Sequence, residues 1–108
     1  MDDKTLLELA AKAAGIELLR SRLDDPMCKD FLLVERKRDG EAISWNPLTD
    51  DGDALRLAVK LGLHILPELQ SVDVGPFAVE YFSNNNGDPR AATRRAIVRA
   101  AAEIGRTL

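Results

Sequence analysis

The sequence predicts an α+β domain in which an antiparallel sheet of about four strands carries three packed helices, an αβα-type sandwich. Apolar residues recur at helical spacing in three separate segments of the 108-residue chain. Short segments rich in strand formers lie between them, and the dipeptides Asp39-Gly40 and Gly75-Pro76 divide these segments into pairs. The predicted order is therefore α-β-β-α-β-β-α, in a single domain that spans residues 1–108.

The first helix is predicted from apolar residues at helical spacing, namely Leu6, Leu9, Ala10 and Ala13. Gly15 follows and can adopt the left-handed conformation that ends a helix. Residues 16–20 fit either a short strand or an irregular link. Residues 21–30 contain Asp24-Asp25-Pro26, which favours a surface loop.

A first β-hairpin is predicted from two strand-forming segments at residues 31–35 and 41–45. Asp39-Gly40 between them is a strong signal for a two-residue turn. With these two residues at its centre, Arg38 faces Glu41 and Val34 faces Trp45 across the strands. Both pairs are chemically compatible, which favours this register.

The second helix is predicted over residues 53–62, after an acidic first turn in which Asp50 is the candidate N-cap. Only Arg56 and Lys60 interrupt its apolar residues, so the helix is expected to be mostly buried. His64 follows between two apolar residues and is expected to be a packed or capping residue.

A second hairpin is predicted from residues 71–74 and 77–82, which Gly75-Pro76 separates. Alternation places its residues on two faces: Phe77, Val79 and Tyr81 on one, and Ala78, Glu80 and Phe82 on the other. Asp88 and Pro89 then indicate the start of a last helix that runs toward Gly105. Its many alanines allow close packing against a sheet or a helix.

The composition indicates an ordinary globular protein, with 45% hydrophobic and 31% charged residues. A net charge of −3 gives no general attraction to nucleic acid or to an anionic membrane. Cys28 is the only cysteine, so no disulfide can form within the chain, and a cytoplasmic location is expected. The acidic start at Asp2 and Asp3 is unlike a signal peptide.

The best candidate site is the turn and helix start formed by Trp45, Asn46, Asp50, Asp51 and Asp53. The tryptophan and the amide could contact a ligand, although a single Trp at a strand end is more often a core residue. The carboxylates could act only as helix caps, which is their simplest interpretation. As a calcium loop the segment lacks the required final glutamate, so no metal and no cofactor are predicted.

A second candidate site is the basic face of the last helix, with Arg94, Arg95 and Arg99 as its central residues. Such a face could contact nucleic acid phosphates. The simpler interpretation is a solvated helix surface with ion pairs, in which Glu103 pairs with Arg99 one turn earlier. No aromatic residue alternates with these arginines to stack on bases.

Three stretches together resemble small phage and prophage proteins, the NinX-like proteins and the phage domain described as an αβα sandwich. They are residues 45–55 (WNPLTDDGDAL), residues 95–101 (RAIVRAA) and residues 9–15 (LAAKAAG). The resemblance covers most of the chain and implies an αβα fold. It implies no biochemical activity, since none is established for those families.

The sequence therefore favours a non-enzymatic accessory protein of phage or prophage origin that binds a protein partner of the host or the phage. A nucleic-acid-associated protein that uses the arginines of the last helix is the alternative. A third hypothesis is a small enzyme or metal-dependent protein built on Asn46 and the three aspartates. No membrane interaction is expected, and the oligomeric state is left open.

Overall fold

The computed structural model describes residues 2–19, 32–35 and 42–108, and the chain has the predicted α+β fold. The helices are α1 (Asp3–Ala14), α2 (Asp51–Leu61) and α3 (Pro89–Arg106), with a short 3-10 helix at Phe82–Asn85. The strands are β1 (Leu18–Leu19), β2 (Leu32–Glu35), β3 (Ala42–Trp45), β4 (Leu66–Pro67), β5 (Ser71–Val74) and β6 (Ala78–Tyr81). The predicted loop at 21–30, including Cys28, and the turn at Asp39-Gly40 lie outside the described residues.

The strands form two antiparallel sheets of three, in the orders β1-β2-β3 and β4-β5-β6. The prediction placed about four strands in one sheet. The four longer strands, β2, β3, β5 and β6, are the predicted ones, and the two-residue strands β1 and β4 each add one more. In each sheet the third strand precedes the hairpin in the sequence: β1 pairs with β2, and β4 pairs with β5. The two hairpins therefore belong to separate sheets.

The register of the first hairpin differs from the prediction by two residues. Val34 pairs with Ile43, and Trp45 pairs with Leu32, so the predicted pairing of Val34 with Trp45 is wrong. The observed pairing of Glu35 with Ala42 leaves unequal numbers of residues on the two sides of Asp39-Gly40. Because the pairing is shifted by an even number of residues, each side chain stays on its predicted face of the sheet.

Helix α1 has the predicted end and a clear start. The Asp2 carboxylate accepts a hydrogen bond from the Thr5 backbone N–H at 2.8 Å, which satisfies one free donor of the first turn. Hydrogen bonds from the side chain and the backbone of Thr5 lower the pKa of Asp2. At the other end, Gly15 has a φ of 69°, and its N–H reaches back to the carbonyls of Ala11 and Lys12.

Helix α2 starts at the predicted N-cap, Asp50, and ends at Leu61, where Gly62 adopts the left-handed conformation. The expectation that it is mostly buried is wrong. Its inner side buries Ala54, Leu57 and Ala58 in one core cluster with residues of α1 and α3. Leu55 and Val59, one turn apart, are 61% and 72% exposed. His64, in the segment after the helix, is exposed rather than packed.

The second hairpin has the predicted alternation of faces. Ala78 and Glu80 are buried, while Val79 and Tyr81 are exposed. On β5, Val72 and Val74 point the same way as Ala78 and are fully buried. The face that carries Glu80 is therefore the one that packs on the rest of the protein. The Gly75-Pro76 bond that joins the two strands is cis.

Helix α3 is the element that contacts both halves of the core. Asp88 caps its first turn and Pro89 is its first residue, as predicted. One side of α3 packs on the second sheet through small residues spaced four apart: Ala92, Ala96 and Ala100. Another side packs against α1 and α2 through Ile97, Val98, Ala101 and Ala102. Among the described residues, no helix is long and apolar enough to cross a membrane.

The tightest contact of the fold joins the end of α3 to α1 at Gly105. A Cβ atom at this position would overlap the carbonyl oxygen of Leu9 and lie 2.9 Å from its carbonyl carbon. These are backbone atoms of a helix and cannot rotate away. Only glycine allows the two helices to approach this closely.

We therefore expect Gly105→Ala to lower the free energy of unfolding by about 1–3 kcal/mol, because the added methyl forces α1 and α3 apart. Gly52→Ala, also within a helix, is the matched control. Its Cβ would meet only the side-chain ends of Asp50 and Arg56, at 3.2–3.3 Å, and these can move. Urea unfolding followed by circular dichroism measures both. Equal stability of Gly105→Ala and the wild type would show that the close approach is not needed.

Candidate functional site

The turn after β3 is held together by Asn46. Its side-chain oxygen accepts from the Leu48 N–H at 3.0 Å, and its carbonyl accepts from the N–H groups of Thr49 and Asp50. Its own N–H donates to Asp53 Oδ2 at 2.9 Å. Asn46 is buried, and its backbone and side chain fix how the chain passes from β3 into α2.

The carboxylates of the acidic helix start are engaged in contacts within the protein. Asp50 Oδ2 accepts from the Asp53 N–H at 2.8 Å, which is the predicted N-cap bond. Asp53 does not return a bond to the backbone N–H of the cap residue Asp50, because that N–H donates to the Asn46 carbonyl. Asp53 instead binds the Asn46 N–H and forms an ion pair of 2.6 Å with Arg56.

These side chains surround a shallow hollow of about 270 Å³, lined by Ser44, Asn46, Thr49, Asp50, Asp53 and Arg56. Each of the two aspartates already caps the helix, fixes the turn or pairs with the arginine. Among the described residues, no group of three or more His, Cys, Asp or Glu residues could hold a metal ion. The geometry here is that of a capped helix start.

Trp45 lies away from this hollow, in the hydrophobic core. It is 5% exposed and belongs to the core cluster shared by α1, α2 and α3. The indole is therefore not presented at the surface as the platform that a ligand would need. The structure has the core tryptophan that was the simpler interpretation of the sequence.

Arg94 and Asp51 form a separate unit between α2 and α3. The Arg94 side chain is largely buried; its Nε donates to the Leu48 carbonyl at 2.9 Å, and it binds Asp51 Oδ1 at 2.6 Å. The same arginine thus holds the turn after β3 and the start of α2 against α3. Arg90 lies one turn earlier, 3.9 Å from Asp51 Oδ2, and its side chain is 81% exposed.

Arg95 and Arg99 lie on a third part of the surface. Arg95 pairs with Asp3 of α1 at 3.0 Å. Arg99 pairs with the buried Glu80 of β6 and donates to the Val79 carbonyl at 3.0 Å. The predicted pair of Glu103 with Arg99 is wrong, because Arg99 turns to the strand and Glu103 binds Arg106 at 2.8 Å. No feature of the sequence near Arg99 indicates that its partner is Glu80 of β6.

The eight predicted site residues therefore fall into separate places. Asn46, Asp50 and Asp53 share the hollow at the start of α2, whereas Asp51 and Arg94 face the gap between α2 and α3. Arg95 and Arg99 line a cleft of about 390 Å³ with Glu80, Glu103, Leu6 and Phe77. Trp45 is in the core. The structure does not bring them together into one site.

Sequence reasoning missed two apolar surfaces. The first, which we call the outer face, is the exposed side of the second sheet and carries Leu66, Val79 and Tyr81. The second, which we call the α2–α3 groove, is a cavity of about 210 Å³ between these helices, lined mainly by Ala54, Leu55, Ile65 and Ile97. Alternation in β6 could have indicated the outer face, but it does not show which side is buried.

Comparisons of the chain with protein families, with curated proteins and with solved structures found no match. The resemblance to NinX-like phage proteins therefore stays a prediction.

We expect Arg94→Ala to lower the free energy of unfolding by about 1–2 kcal/mol, because it removes a charged hydrogen bond to a part-buried carbonyl. The exposed Asp51 contact adds little to this, since solvent screens it. Arg90→Ala, on the same helix and facing the same aspartate, is the matched control and should change stability by less than about 0.5 kcal/mol. Thermal and urea unfolding measure both. Equal effects of the two substitutions would contradict a structural role for Arg94.

Proposed function

We propose that this protein is a non-enzymatic accessory domain of the phage and prophage type, and that it acts by binding a protein partner through its outer face. The observation that carries the proposal is the exposure of large apolar and aromatic side chains on one side of the second sheet. Val79 and Tyr81 lie on the same face of β6 and are 42% and 55% exposed, and Leu66 of β4 is 59% exposed.

The register of the sheet places Leu66 on the same face as Val79 and Tyr81. Val79 pairs with Asp73, and Asp73 pairs with Leu66, so Leu66 and Val79 lie in one row across the three strands. Tyr81 lies in the next outward row, opposite Ser71. The face therefore carries two aliphatic side chains and a tyrosine around Asp73 and Ser71 of the central strand, a mixture of apolar and polar groups that protein interfaces share. Single scattered apolar residues would need no such explanation.

The face of the sheet supports docking better than its edge does. Arg99 donates to the Val79 carbonyl, so part of the β6 backbone is already engaged by α3. A partner that added a strand at this edge would have to displace that contact. Contact across the face needs no rearrangement of the backbone.

The alternative, nucleic acid binding by the last helix, must use arginines that already have partners. Arg94, Arg95 and Arg99 are each paired with a carboxylate from a different element. Phosphate binding would exchange these contacts for new ones. Such binding would weaken steeply between about 50 and 200 mM salt, which distinguishes it from contact through an apolar face.

The test is affinity capture from a nuclease-treated bacterial lysate, with the captured proteins quantified by mass spectrometry. The double variant Val79→Thr with Tyr81→Thr keeps good strand formers but removes the apolar contacts. We expect it to retain at least about tenfold less of the partner than the wild type, since central aromatic contacts dominate binding energy. Its melting temperature should stay close to that of the wild type because both sites are exposed.

Val59→Thr with Leu108→Thr is the matched control, since it removes two exposed apolar side chains elsewhere. This control should retain the partner. Undiminished capture by the outer-face variant would contradict the proposal. Nucleic acid in the untreated eluate, lost when Arg94, Arg95 and Arg99 are replaced by alanine, would favour the alternative.

A further inference from the structure

We propose that the α2–α3 groove is a second docking site, and that it takes a protein segment in which a leucine-type side chain lies next to a carboxylate. The inference rests on the apolar floor of the groove and on an unbalanced positive charge at its mouth. It is independent of the outer face, which is formed by different residues.

The floor and walls of the groove are apolar. Ala54 and Ile97, from α2 and α3, are buried in the core cluster, while Leu55 and Ile65 form the more exposed walls. The cavity of about 210 Å³ is smaller than the roughly 300–1,000 Å³ of typical small-molecule pockets. It therefore fits one aliphatic side chain of a partner, in the way that a short segment anchors a residue in a groove.

The charges at the mouth define the rest of the ligand. Asp51, Arg90 and Arg94 line it, so one carboxylate faces two guanidinium groups. Asp51 Oδ1 is bound to Arg94 at 2.6 Å, and its other oxygen lies 3.9 Å from Arg90, too far for a hydrogen bond. Asp88, the nearest acid in sequence, is occupied as the helix cap by the N–H groups of Arg90 and Ala91.

Arg90 is the group that a partner carboxylate would bind. Its side chain is 81% exposed, and within the described residues its guanidinium has Asp51 as its one ion-pair partner. A carboxylate beside the inserted aliphatic side chain would supply the missing negative charge and accept a bidentate pair of hydrogen bonds. An acidic segment with an aliphatic residue is thus complementary to the groove in both shape and charge.

The test is a titration of the 15N-labelled protein, followed by NMR, with three capped tripeptides: acetyl-Glu-Leu-Glu-amide, acetyl-Gln-Leu-Gln-amide and acetyl-Glu-Ala-Glu-amide. We expect the first peptide to shift the amide signals of Leu55 and Ile97 with a Kd on the order of millimolar, as its small size allows. The second lacks the charges and the third lacks the side chain, so each should bind at least about fivefold more weakly. The advantage of the first over the second should shrink at high salt.

Arg90→Gln removes the charge without touching the floor of the groove, and Arg106→Gln is the matched control at the far end of the same helix. Arg90→Gln should make the first two peptides bind equally, whereas Arg106→Gln should preserve their difference. Equal binding of the two peptides to the wild type would overturn the proposal, and so would shifts confined to other surfaces. The outer-face variant, Val79→Thr with Tyr81→Thr, should bind the first peptide normally, so failure of the groove and failure of the outer face are distinguishable.

Discussion

The close approach of α1 and α3 is the constraint on which the rest of the fold depends. Gly105 lies against the backbone of Leu9, and small residues such as Ala10 and Ala101 are fully buried in the same cluster. Small side chains let two helices pack backbone to backbone, which fixes their separation and their rotation. Once α3 is fixed on α1, its remaining sides are committed to α2 and to the second sheet. One helix therefore positions elements that come from both halves of the chain.

This central position also explains why a basic helix occurs in an acidic protein. The apolar sides of α3 are covered by its neighbours, so its arginines emerge at the margins of these contacts. Arg94 reaches Asp51 on α2, Arg95 reaches Asp3 on α1, and Arg99 reaches Glu80 on β6. Each arginine joins α3 to a different element. Ion pairs were the simpler interpretation of this arginine cluster, and phosphate binding was the alternative; in the structure each pair joins the packed helix to a different element.

The features predictable from the sequence were those decided within a few residues. The caps at Asp50 and Asp88, the helix ends at Gly15 and Gly62, and the strand alternation around Val79 all depend on local backbone chemistry. The register of the first hairpin, the division into two sheets and the ion pair of Arg99 with Glu80 depend on groups far apart in sequence. A periodic pattern of apolar residues does not show which residue from a distant part of the chain will pair with or pack against an element.

The two proposed docking surfaces were missed because they also depend on groups far apart in sequence. The buried face of α3 is built largely from alanines, so the neighbouring elements approach it closely. The narrow space between them holds few large side chains. Leu55 and Val59 of α2 and Tyr81 of β6 lie outside this core. Helix α2 has apolar residues on two sides: the side with Leu57 is buried against α1 and α3, and the side with Leu55 and Val59 is exposed. In a protein packed this way, exposed apolar side chains that adjoin one another identify surfaces available to other molecules, and both proposed docking surfaces are of this kind.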